Sequence, residues 1–431
     1  MTKRSQGLVL LGLCLAATLL WWFGWRRPAQ TARFRLPVGA QTPEISFGQT
    51  SGIILASNGS LWSWGTSPSG APVLGLGSIK TRNSLCRVGS DTNWISVSMG
   101  DDQTLAVKSD GTLWGWGANY KHQLGDGTQL IHDRPTPSAP GHEWQSVVTG
   151  RAHTLAIKRD GSLWAWGDNS YGQLGLGVTN FEIPTPTQVG TATNWTKIAA
   201  GSLDSVGLQS DGTLWTWGDN SAMQGAFSIS NCHLIPTLVS PDTNWVDATI
   251  GMFMMLGIKS DGTLWAWGRN AHAFTGGSGG PAIPARIGTE TDWQACYSGR
   301  FYHLLRKKNG SLWIMDVPAL AGSSSLPFHR LSVRWRKVSL PDDIAALGSG
   351  AGIGAAITRD GEVWTWGAVL GEQVRVDPPL QKLAKLINAR FASYLFLRWG
   401  QPGPPVRNRP WRLDHMDSDD PAATPRVGGA P

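Results

Sequence analysis

The sequence predicts an all-β protein built from one repeated unit, and three observations support this. A turn followed by a tryptophan-bearing strand recurs seven times, beginning at Asn58, Asp110, Asp160, Asp211, Asp261, Asn309 and Asp360. Successive turns are 48 to 52 residues apart, a period that marks an array of one supersecondary unit. A further tryptophan lies sixteen residues before five of these turns, at Trp94, Trp144, Trp195, Trp245 and Trp293.

Residues 144–176 give the clearest copy. Gln145 to Val148 reads as a short strand after Trp144, and Gly150 as a turn. Thr154 to Lys158 is a second strand of β-branched and apolar residues. Asp160-Gly161 is a hairpin dipeptide that tolerates positive φ. Ser162 to Trp166 is the third strand, Asp168 to Gly172 is loop, and a fourth strand is expected near Thr187 to Val189, after Pro184-Thr185-Pro186. Four short strands in about fifty residues make one propeller blade. A stacked solenoid calls for a shorter coil and ranks below.

Side chains alternate along a strand, so Trp164 and Trp166 share one face. The residue between the paired tryptophans is small or modest each time: Ser63, Gly115, Ala165, Thr216, Ala266 and Thr365. Each buried indole removes roughly 150–250 Å² from water, on the order of 4–6 kcal/mol gross. The paired indoles therefore read as the mortar between blades rather than as a carbohydrate platform. Trp335 breaks the spacing before Asp360, so the blade there is expected to begin differently, with Ser323 to Pro327 as a loop.

Three segments of the clearest copy carry a resemblance: Gly150-x-x-His153-Thr154-Leu155-Ala156-Ile157, Asp160-Gly161-Ser162-Leu163-Trp164-Ala165-Trp166-Gly167, and Asn169-x-Tyr171-Gly172-Gln173-Leu174-Gly175. Together they resemble the RCC1 (regulator of chromosome condensation 1) repeat, over roughly residues 45–400. The resemblance implies a seven-bladed β-propeller. Met223 to Ala226 and Phe274 to Gly277 depart from the third segment, and Met315 stands where the sixth copy's second tryptophan belongs. The histidine is kept only at His153; Ser51, Gln103, Asp204, Met254, Tyr302 and Ile353 hold the equivalent positions. A half-copy at Lys385 to Gly400 either closes the ring or opens an eighth blade; seven blades are preferred.

The expected organisation is an N-terminal hydrophobic helix within residues 1–27, a basic linker over 28–43, the propeller over 44–400, and a disordered Pro- and Asp-rich tail over 401–431. Residues 7–25 hold no charge, a length suited to one membrane span. Trp21, Trp22 and Trp25 form an aromatic belt beside Arg26 and Arg27. An uncleaved membrane anchor is preferred over a signal peptide, with the propeller outside the cytoplasm; cleavage would instead give a secreted form.

Six of the 37 Lys and Arg residues lie in residues 1–43, which carry no Asp or Glu, so the remaining 31 face 30 acids. The basic balance belongs to the membrane flank and argues against a nucleic-acid partner. Cys14, Cys86, Cys232 and Cys296 lack metal spacing, and no phosphate loop or hydrolase motif is present. No cofactor, metal or catalytic group is expected.

Positions that recur are scaffold, and positions that scramble are free to specialise. The scrambled set follows the turn glycine of each first hairpin: Asp101, Asp102, Arg151, His153, Asp204, Met252, Phe253, Met254, Arg300, Phe301 and Tyr302. In a closed ring these fall on one rim, whose mixed charge, methionine and aromatic content suits a protein partner. The expected function is a non-enzymatic, membrane-tethered interaction scaffold. Two alternatives are a guanine-nucleotide exchange factor, for which no long wedge insertion is seen, and a secreted enzyme inhibitor. A hydrolytic site joining Arg151, His153 and Asp204 ranks last.

Overall fold

A computed structural model describes residues 35–141, 143–178, 181–220, 232–251, 254–268, 283–299, 302–316, 334–338, 340–350, 353–367 and 411–412. Among them it forms seven four-stranded antiparallel sheets and no helix. Blades 1 to 6 each use four consecutive strands, over residues 44–88, 94–137, 144–188, 195–238, 245–287 and 293–338. Blade 7 takes three strands from 344–367 and its fourth from Trp411–Arg412, which pairs with Trp364 and Thr365. That strand lies beyond the expected boundary at 400, inside the segment read as disordered tail. The half-copy at 385–400, the hydrophobic stretch 7–25 and the loop Ser323 to Pro327 lie outside the described residues.

The first strands touch one another in order, and that of blade 7 returns to that of blade 1. They form the inner wall of a closed seven-bladed propeller. Closure uses a substitute. In blades 2 to 6 the leading tryptophan donates its backbone N–H to the turn glycine of the preceding blade, as Trp144 does to Gly111 O at 3.1 Å. At the seam of blades 7 and 1, Leu36 does this, donating to Gly361 O at 2.9 Å.

The repeated phrase Asp-Gly-Ser/Thr-Leu-Trp describes one hydrogen-bonded unit. Asp160 Oδ1 accepts the Ser162 N–H at 2.9 Å and its hydroxyl at 2.6 Å, and Ser162 Oγ accepts the Trp164 indole N–H at 2.8 Å. The same relay runs through Asp110, Thr112 and Trp114, and through Asp211, Thr213 and Trp215. Gly161 takes φ of +79°, and a Cβ there would run into the Thr193 carbonyl of the next blade, so the position requires glycine twice over.

The paired tryptophans do not share one environment, as equal burial would require. The second of each pair is fully buried at Trp116, Trp166, Trp217 and Trp267. It enters the preceding blade, where the Trp166 N–H reaches Gln123 O at 3.0 Å and the Trp217 N–H reaches Gln173 O at 2.9 Å. Those acceptors belong to the Gln-Leu-Gly segments, and Gly125 and Gly175 lie against the incoming indoles. In blades 2 to 5 the first of the pair stays half-buried and meets the leading tryptophan edge-on, as Trp144 and Trp164 do at 6.1 Å, whereas in blade 1 the order is reversed, with Trp62 buried and Trp64 half-buried. Lys158 Nζ sits 4.0 Å above the Trp164 ring and 2.9 Å from Glu143.

One expectation holds and one is corrected. Blade 7 does begin differently, and Trp335 does not lead it. That tryptophan lies in the last strand of blade 6 (Arg334–Val338), paired with Met315 and stacked on Trp293 at 5.6 Å. Its ring supplies aromatic bulk on the side where Met315 replaces tryptophan, and Ile344 leads blade 7. The fourth strand of blade 3 spans Glu182–Gln188, so Pro184 and Pro186 lie within it. An outermost strand accommodates proline because one side needs no donor.

Candidate protein-binding rim

One end of the ring gathers the turns between first and second strands and the loops between third and fourth strands. A glycine closes each first hairpin, and these glycines pack head to tail around the axis. A Cβ on Gly100 would meet the Gly150 carbonyl, one on Gly150 the Gly201 carbonyl, and one on Gly299 the Gly350 carbonyl. The scrambled residues sit just beyond this glycine ring.

Their placement divides the expected set. Asp101 and Asp102 are half-buried and Arg151 is exposed, so these three reach the rim. His153, Asp204 and Met254 are buried, which removes their side chains from any partner surface. The register explains why: His153 pairs with Gly167 and Asp204 with Gly218, so each begins a second strand and turns inward. Tyr302 begins the second strand of blade 6, Tyr302–Lys307. Met252, Phe253, Arg300 and Phe301 lie outside the described residues.

Asp102 is held by three neutral hydroxyls. Its Oδ1 accepts Ser67 Oγ at 2.7 Å and Ser69 Oγ at 2.5 Å, and Oδ2 accepts the Tyr120 hydroxyl at 3.2 Å. Burial, the Asp102 charge and the hydrogen bond to it raise the Tyr120 phenol above its ordinary value. Asp101 Oδ2 accepts the Gln49 amide at 2.8 Å. Ser67, Ser69 and Tyr120 fall outside that set because they come from the loops between the third and fourth strands of blades 1 and 2. The signal available was that these loops also scramble from blade to blade.

The buried pair His153 and Ser205 has no nucleophilic geometry. Ser205 Oγ donates to Gln173 O at 2.9 Å, so at 3.2 Å it accepts from His153 Nε2. The serine proton therefore points away from the imidazole, the reverse of what a general base needs. Burial pushes His153 down to about 4, against a smaller opposing effect of Asp168. Burial, aided by the Asp219 charge, raises Asp204 to about 7. Arg151, exposed at the rim, does not join them in an open site. No cluster of metal-ligating side chains occurs among the described residues.

This is a seven-bladed β-propeller with an open, chemically mixed rim. Models of the regulator of chromosome condensation (RCC1) repeat match residues 110–157 and 160–207, and a second model of that repeat matches 94–123 and 144–173. The chain carries RCC1 repeats, and its fold is an RCC1-like propeller. Among solved structures it is similar to human WBSCR16, with 23% identity over 72% of this chain and 88% of that one, at a TM-score of 0.59. It is similar to Prp20p from Saccharomyces cerevisiae, with 18% identity over 80% of this chain and 85% of that one, at 0.59. Yeast RCC1 (Prp20) bound to Kap60 aligns with 16% identity over 79% and 85%, also at 0.59.

Proposed function

We propose that the chain is a non-enzymatic interaction scaffold, tethered to a membrane by residues 7–25, that binds a protein partner through the rim of Asp101, Asp102, Arg151 and Tyr120. One observation carries the reading: the recurring residues are consumed by contacts within and between blades, whereas the rim residues vary in charge and reach the surface. Yeast Prp20p, whose structure is described together with its binding to Gsp1p and histones, lends support to a protein partner. The uncharged run flanked by Trp25, Arg26 and Arg27 supports the tether. Among the described residues no helix is long and apolar enough to cross a membrane, and residues 7–25 lie outside them.

The test is crosslinking capture with the full chain, repeated with Arg151→Glu and Asp101→Lys. Loss of the captured protein supports the rim, and capture unchanged by both counts against it. Alkaline carbonate extraction tests the tether; release into the soluble fraction argues for a cleaved, secreted form. Accelerated nucleotide release from a small GTPase would replace this reading with the exchange-factor one.

A further inference from the structure

Blades 2 to 4 carry a band of exposed apolar side chains that the scaffold does not use. Phe181 is 72% exposed and Leu130 is 64% exposed, and Ile131, Val178 and Ile235 are also exposed. Single exposed apolar residues are ordinary, but a grouped set marks an interaction surface. Gln129 Nε2 links Tyr120 O at 3.2 Å to Glu182 Oε2 at 3.3 Å. Gln129 precedes Leu130, and Glu182 follows Phe181, so this amide brings both apolar loops to the seam of blades 2 and 3. At the next seam Gly177, the neighbour of Val178, lies against Ile235.

The inner end of the band is acidic. Tyr120 is itself exposed and bonds to Asp102, whose three hydroxyl partners hold the carboxylate in place without cancelling its charge. Prolines occupy the outermost strands at Pro135, Pro137, Pro184, Pro186 and Pro236. They remove backbone donors and discourage strand addition, so recognition here falls to side chains.

We propose, building on the protein-interaction reading above, that this band docks a protein segment with apolar side chains at one end and a Lys or Arg at the other, the cation meeting Asp102. The probe is a phage-displayed random peptide library, selected on the immobilised full chain and read by titrating the enriched peptides. The expected consensus joins aromatic or aliphatic residues to a basic one. The variant Leu130→Ser with Phe181→Ser is expected to weaken binding about tenfold or more, as loss of an anchoring residue does. Asp102→Asn is expected to weaken it less and to flatten its salt dependence. Leu130 and Phe181 are exposed and Asp102 is half-buried, and an unchanged circular dichroism melt for each variant excludes misfolding. Peptides that ignore Leu130→Ser with Phe181→Ser but lose binding with Arg151→Glu overturn the band and leave the rim reading standing. Failure to enrich any peptide overturns both. A dimer in solution that the Leu130 and Phe181 changes dissolve, or band-dependent binding to phosphatidylcholine vesicles, overturns the proposal in favour of a second copy or a lipid surface.

Discussion

The indole N–H of Trp166 donates to the backbone carbonyl of Gln123 at 3.0 Å, across the seam between blades 2 and 3. Gly125 lies against the same ring, and the Thr154 hydroxyl shares the acceptor at 2.7 Å. This junction joins two parts of the repeat that lie far apart within each copy, the second tryptophan and the Gln-Leu-Gly segment.

Trp166→Phe is expected to destabilise the propeller by about 2–4 kcal/mol, combining lost buried volume with a lost hydrogen bond. Trp164→Phe, at a half-buried ring, should cost less. Urea denaturation of both variants checks the order, and equal losses would contradict the assignment of different roles to the two indoles.

Gly150→Ala is expected to cost about 1–3 kcal/mol, the range for overpacking. The added methyl meets the His153 imidazole and the Gly201 carbonyl, and backbone carbonyls have little room to retreat. Thermal melting provides the check; an unchanged midpoint would show that the glycine ring is loosely packed.

Lys158→Gln is expected to cost about 1–2 kcal/mol, the range for a cation over aromatic faces in a partly desolvated setting. Blade 4 already has Gln209 at this register position, opposite Trp195 as Lys158 is opposite Trp144. The fold therefore tolerates glutamine, and a small loss rather than unfolding is predicted. Chemical denaturation of the variant beside wild type measures it.

The legible part of this chain was what repeats. The turn spacing, the Asp-Gly hairpins and the tryptophans gave the blades because each recurrent residue is a repeated contact. The opposite fates of Trp164 and Trp166 were hidden, since alternation places both on one face and only the neighbouring blade tells them apart. His153 and Asp204 were read as rim residues because they vary. Their variation instead reflects seven slightly different packing problems at the first position of the second strand. The broken spacing at Trp335 marks a different start to blade 7, but spacing cannot show that its ring stacks on Trp293 from the far edge of blade 6. The apolar band lay in loops whose exposure follows from tertiary packing.

Asp204 gives a pH prediction. Burial raises it to about 7, above its ordinary value of 3.8, with Asp219 adding to the shift. A folded-state value above the unfolded one stabilises the fold at low pH. The contribution is full below about 4 and lost as pH rises through about 7. Wild type should therefore lose stability relative to Asp204→Asn across that window, by on the order of a few kcal/mol. Melting temperatures of both proteins at pH 5 and 8 test this; a constant difference would mean the carboxyl is not shifted. His153, pushed down to about 4 from 6.5, acts with the opposite sign. Its contribution is full above 6.5 and lost as pH falls through about 4.

Hydrogen exchange at the backbone amide of Leu36 tests ring closure most directly. If the chain meets itself at the seam of blades 7 and 1, this amide is held by Gly361 O. It is then predicted to be protected to the same degree as the amides of Trp94, Trp144 and Trp195, which make the same bond at the internal seams. Exchange of Leu36 at the rate of an unstructured chain, with those tryptophan amides still protected, would show blades stacked in an open array.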